Sequence, residues 1–115
     1  MSFSNTFETH VLNYVFNATS VTRPTSWFLA LFTAAPTDGS SGTEVTGGGY
    51  VRKPVALTVS GNTATNSAII EYPTATANYG TVVAVGVFDL VSSGTLIAYG
   101  SLSTNKTIET NDTLR

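Results

Sequence analysis

The side chains able to move a proton near neutral pH are one histidine, His10, and seven carboxylates, Glu8, Asp38, Glu44, Glu71, Asp89, Glu109 and Asp112. With no cysteine in the chain, thiolate catalysis, thiolate metal sites and disulfides are all excluded. Asp38 and Glu44 share one long loop and are the single hint of paired carboxylates. Glycoside hydrolysis needs such a pair a few ångströms apart in a cleft lined by sugar-binding aromatics. This loop holds no aromatic before Tyr50, and Asp38 ahead of Gly39 reads as a turn residue. The same two carboxylates are too sparse for a calcium loop. His10 falls at the margin of an apolar helical stripe, with no Gly-x-Ser-x-Gly elbow anywhere to supply a nucleophile. Gly47-Gly48-Gly49 would suit a phosphate loop only if a helix with a Lys-Ser or Lys-Thr pair followed. Tyr-Val-Arg-Lys-Pro follows instead, a strand pattern, so the glycines are expected to turn the chain back into a sheet. No catalytic residue, metal ligand or cofactor site is predicted.

Composition points to assembly. The 115 residues are expected to form one domain, 1–115, too small to hide more than about two thirds of its surface. Charged residues make up 10% of the chain, against roughly 25% in soluble domains. Threonine, serine and asparagine replace them, and neutral polar surfaces pack against partners without large desolvation costs. A homo-oligomer is the expectation. The five basic residues, Arg23, Arg52, Lys53, Lys106 and Arg115, are scattered, and Arg52 and Lys53 would point to opposite faces of a strand. Nucleic acid is therefore not an expected partner. The longest apolar run, 27–32, is too short to cross a bilayer, and the first residues lack the pattern of a signal peptide, so no membrane partner is expected.

The elements that must position these residues are mostly strands. Asn5 followed by Glu8 looks like a helix cap, and Phe7, Val11, Tyr14 and Val15, widened by Leu12 and Phe16, give a helix over 6–17. Pro24 forces Arg23 into extended backbone. The apolar run 27–33 suits a strand covered on both faces. Residues 50–59 alternate imperfectly around Pro54, as in an edge or bulged strand. After a turn at Ser60-Gly61-Asn62, a strand is expected over 63–72, then a loop over 73–80. Residues 81–90 and 95–102 form a hairpin around Ser92-Ser93-Gly94, and one more strand begins near Lys106. The fold class is mainly β, an antiparallel sandwich or barrel-like sheet with one N-terminal amphipathic helix packed on a face or closing an end. Of the aromatics, Tyr79 beside Gly80 is expected to be the exposed one and an interface anchor.

Several blocks carry a resemblance: Leu31-Phe-Thr-Ala-Ala-Pro-Thr-Asp38, Gly42-Thr-Glu-Val-Thr-Gly-Gly-Gly-Tyr50, Tyr72-Pro-Thr-Ala-Thr-Ala-Asn-Tyr-Gly-Thr81, Val85-Gly-Val-Phe-Asp89 and Gly94-Thr-Leu96. In this order and spacing the chain resembles a family of small tailed-bacteriophage virion proteins, commonly labelled phage tail fibre or tail proteins. Members of that family run on past the Asn-Asp-Thr signal into another short strand, which implies either that the strand is lost here or that a neighbouring subunit completes the sheet. The resemblance implies a non-enzymatic virion structural protein of the tail or tail-fibre type, made in the host cytoplasm and partnered by other tail or capsid subunits. A capsid decoration (cement) protein is the alternative, and a host-glycan-binding module a lesser one. The expected contact residues are Phe7, Val11 and Tyr14 on the helix, Pro36, Asp38, Glu44 and Tyr50 on or beside the long loop, and Tyr79. The loop 36–49 is expected to be separable from the fold.

Overall fold

The computed structural model describes residues 2–17 and 24–114, which leaves Arg23, expected extended, outside the described residues. In chain order the elements are β1 (Ser2–Phe3), α1 (Asn5–Phe16), β2 (Phe28–Ala34), β3 (Thr43–Glu44), β4 (Lys53–Pro54), β5 (Leu57–Ser60), β6 (Thr63–Asn66), β7 (Gly80–Phe88) and β8 (Leu96–Ile108). The main sheet runs β1-β8-β7-β2-β3, with β4 also pairing β2, and every pairing is antiparallel. β5 and β6 form a separate hairpin. The architecture is mainly β with one N-terminal helix, as expected, and the main sheet does not close into a barrel.

β2 is an interior strand of the sheet, between β7 and the short β3 and β4, and its apolar sequence follows from burial on both faces. Ala30 and Phe32 pack with Ala84 and Phe88 on one face, with the Phe32 and Phe88 rings stacked at 6.2 Å. Leu31, on the opposite face, packs with Val45, Tyr72, Ala75, Tyr79, Val82 and Ile108.

Two predicted strands merge and two shrink. Residues 95–102 and the stretch from Lys106 lie on one long strand, β8, which pairs β7 at both ends. Between them the register slips, since Val82 faces Lys106 whereas Ala84 faces Ser101, and β8 bulges over residues 102–105. The strand expected over 50–59 breaks into β4 and β5, because Pro54 cannot continue a ladder. The strand expected over 63–72 stops at Asn66.

The loop expected over 73–80 forms, but Tyr72 before it and Ala75 and Tyr79 within it belong to the core. Their backbone bonds go to the last residues of the chain: the Tyr72 N–H donates to the Leu114 carbonyl, Ala75 to Asp112 and Tyr79 to Ile108, each at 2.9 Å. With those groups satisfied the segment can be buried.

The helix starts one residue earlier than predicted. Ser4, not Asn5, is the cap: its Oγ accepts the Phe7 N–H at 3.3 Å and donates to the Leu96 carbonyl. The Ser4 N–H donates to the Ile97 carbonyl and the Asn5 N–H to the Asp38 carbonyl. Phe7 packs toward Val87, Ile97 and Ala98. Beyond this first turn the helix does not pack as expected, and none of its residues is buried. No helix among the described residues is long and apolar enough to cross a membrane.

The long loop is not separable. Its Val45 is 3% exposed and donates its N–H to the Leu31 carbonyl, and Glu44 pairs with Phe32 in β3. Gly42 sits at φ +63°, where an added Cβ would lie 2.5 Å from the Ala34 carbonyl oxygen and 2.7 Å from the Pro36 nitrogen. Left-handed backbone at a non-glycine residue costs about 1–3 kcal/mol by itself. Gly42→Ala is therefore expected to lower stability by at least about 2 kcal/mol, read as a drop in the urea midpoint at unchanged m-value.

Candidate functional site

The sequence-predicted contact residues fall into two groups with different fates. Around the long loop they form an internal polar network. Along the helix Val11 and Tyr14 stay in solvent, while Phe7 packs against the sheet.

The network is built on Glu44 and Arg52. The Arg52 Nε donates to Glu44 Oε2 and Nη2 to Oε1, both at 2.8 Å, the two-pronged geometry that a guanidinium alone provides. Its remaining reach is used by Nη1, which donates to the carbonyls of Leu90 at 3.0 Å and Ser93 at 2.6 Å. The guanidinium carbon lies 3.6 Å from the centroid of the Phe88 ring, within cation–π range. Arg52 is 8% exposed. Tyr50 completes the set, donating its hydroxyl to Glu44 Oε2 at 2.6 Å and accepting the Leu31 N–H at 3.0 Å. Arg52 was legible in the sequence only as one of five scattered cations; no local pattern marks it as internal.

Burial raises the Glu44 pKa, but the hydrogen bonds from Arg52 and Tyr50 and the Arg52 charge outweigh it, and the carboxyl ends below its ordinary value. Burial, reinforced by the Glu44 carboxylate, drives the Tyr50 hydroxyl well above its ordinary value, so it stays a donor. Tyr72 is raised for the same reasons, burial first. The Tyr50 ring stacks on Tyr72 at 6.0 Å and meets Tyr79 edge-on at 5.8 Å. The Tyr72 hydroxyl donates to the Leu29 carbonyl and that of Tyr79 to Pro73.

These positions correct several expectations. Tyr79, expected exposed, is 5% exposed and is a core residue. Pro36 is buried, Glu44 and Tyr50 are half-buried with their polar atoms paired, and only Asp38 of the loop group stays exposed. Asp38 and Glu44 do not form a carboxylate pair: Asp38 accepts from the Tyr99 hydroxyl, and Glu44 serves Arg52 and Tyr50. Gly47, Gly48 and Gly49 all have positive φ, and the Thr76 N–H donates to the Gly48 carbonyl, so the triplet is the sharp turn predicted for it. Among the described residues, no three histidine or carboxylate side chains gather where a metal ion would fit.

The helix presents a different surface. Val11 (43% exposed), Leu12 (57%), Tyr14 (69%), Val15 (58%) and Phe16 (77%) are all open to solvent. Val11, Leu12, Val15 and Phe16 recur at the i, i+1, i+4, i+5 spacing of one helical stripe. Contiguous apolar patches of this kind on soluble proteins mark contact surfaces. Leu12, Val15 and Phe16 are exposed alongside Val11 and Tyr14. The helical periodicity that widened the predicted stripe to Leu12 and Phe16 already carried this.

The family described as podophage GP4 fiber I protein gp80 matches residues 2–115. The chain belongs to this family. It is a phage fibre protein, which agrees with the resemblance carried by its loop and strand blocks. No curated protein matches the fibre protein.

Removing Arg52 would leave Glu44 with only the Tyr50 hydroxyl as donor and take the Arg52 donor from two carbonyls. Arg52→Ala is expected to cost about 3 kcal/mol, and Arg52→Lys to recover less than half, since an ammonium cannot replicate the fork. Because the folded-state pKa of Glu44 is depressed, its contribution is complete above the unfolded value near 4.5 and is lost as pH falls through the lower folded value. The difference in melting temperature between the native chain and Glu44→Gln should be constant from pH 6 to pH 5, by the ordinary carboxylate titration, and shrink below that.

Proposed function

We propose that this fibre protein is a non-enzymatic structural subunit of the virion that acts through protein–protein contacts, and that the exposed stripe of α1 is a principal contact. The observation that carries the proposal is that stripe: Val11, Leu12, Val15 and Phe16, none buried within the chain, with the exposed Tyr14 at its margin. A free monomer gains nothing from presenting them, whereas a subunit of a larger particle covers them and gains the burial. Membership in a fibre family supports a place on the fibre rather than on the head. The carboxylates most open to a catalytic reading, Asp38 and Glu44, are each held by partners that fix the long loop to the sheet, which supports a structural role for both. The neutral Thr/Ser/Asn-rich surface fits packing between neighbours.

Val11→Glu with Val15→Glu places two charges on the stripe at positions exposed in the isolated chain. Surface changes of this sort alter folding by no more than about 0.5 kcal/mol. The doubly substituted protein is expected to melt like the native one yet to be missing from purified phage particles when it replaces the native copy. Incorporation at the native level would refute the contact, and release of sugars from host polysaccharide by the purified chain would refute the non-enzymatic reading.

A further inference from the structure

The main sheet leaves a second apolar surface uncovered. Between its face and the β5–β6 hairpin lies an open trough of about 1020 Å3, whose walls include Trp27, Leu57, Ile69, Ile70, Val85 and Leu102. It lies at the upper end of the roughly 300–1,000 Å3 typical of small-molecule clefts. Unlike such clefts, it has a rim that is itself exposed and apolar, with Ile69 82% exposed and Leu57 40% exposed. The chain thus carries an unpartnered apolar helix and an unfilled apolar trough, each lacking what the other supplies.

We infer that α1 of one copy seats in this trough on a second copy of the same chain, and that each copy both gives a helix and receives one. Three features on different parts of the molecule support this occupant. The first is area: the four exposed residues of the α1 stripe offer on the order of 400 Å2, taking an aromatic side chain at 150–250 Å2. A matching area on the trough makes one contact about 800 Å2, below the standard size of a stable interface, while a two-way exchange reaches about 1,600 Å2. The second is charge. The last turn of α1 has no basic residue, so the negative end of its dipole is uncompensated, and Lys106 lines the trough. The third is attachment: among the described residues, the contacts that hold α1 to the sheet come from its first turn, at Ser4, Asn5 and Phe7, while Phe3 just before it lines the trough. The helix therefore leaves its own sheet beside the trough with its apolar stripe free. This contact deepens the proposed assembly role, but it is a property of the purified chain and is tested without particles.

The absence of cysteine makes the test direct, because every thiol is an introduced one. Leu12→Cys and Ile69→Cys change exposed positions on the helix and on the trough rim. Each variant is purified separately, and the two are mixed and treated with a flexible bismaleimide. The expected product is a covalent dimer of one Leu12→Cys chain and one Ile69→Cys chain, distinguished by a size tag on one of them. Ile69→Asp, analysed by sedimentation, should weaken self-association at least about tenfold while leaving the melting temperature of the isolated chain unchanged. The inference is overturned if Leu12→Cys chains cross-link to one another and not to Ile69→Cys chains, which would mean helix-on-helix pairing. It is equally overturned if a doubly substituted chain cross-links only within itself, or if the native protein sediments as a monomer well above micromolar concentration. Should the purified chain be monomeric while the Val11→Glu, Val15→Glu protein still fails to enter particles, the helix binds a different virion protein: the self-docking reading falls and the assembly reading stands.

Discussion

A single ion pair holds the irregular part of this fold to the regular part. Glu44 stands on a two-residue strand and Arg52 just before another, and neither strand has enough backbone pairing to fix itself. The pair joins them, and through the Leu90 and Ser93 carbonyls it also holds the turn between β7 and β8. In a chain with so little charge, such an internal pair has few competitors, so its partners are unambiguous. The paired geometry offsets the desolvation of both ions because every strong donor of Arg52 that faces the interior has an acceptor. The stacked tyrosines extend the arrangement to the other face of the sheet, since the Tyr50 hydroxyl touches both Glu44 and the backbone of Leu31.

This network also accounts for the composition. Long uncharged loops are normally surface features. Here two loops poor in charge are drawn inward because their polar groups find partners: residues 72–79 on the chain's last stretch, and the 36–49 loop through its backbone on β2 and through Glu44 on Arg52. Threonine and alanine fill such segments well, being small enough to pack and polar enough, in the case of threonine, to tolerate the margins. The result is a sheet buttressed by irregular backbone rather than by a second regular layer.

What was legible in the sequence follows the strength of the local signal. The unbroken apolar run of β2, the valine-rich β7 and the helical stripe of α1 declare themselves by periodicity, and all three form. Tyr79 and Pro36 misled, because loop residues near glycine are usually exposed, and only pairing to a distant segment reverses that. The cap fell on Ser4 rather than Asn5 because the deciding acceptor, the Leu96 carbonyl, is contributed by a strand far along the chain. Arg52 could not be found from its neighbours at all: its partners lie at positions 44, 88, 90 and 93. The family blocks, by contrast, were readable, since they preserve order and spacing rather than contacts.

The tether of α1 has a kinetic consequence. A twelve-residue helix lies at the lower limit of what holds together in water without support, and here support reaches only its first turn. In the proposed docking, the second copy would hold the turns that the first-turn tether does not reach, so part of the contact energy would go into that ordering. Association of this kind stays reversible until the final turn closes, and a copy that lands out of register can leave again before it is locked in place.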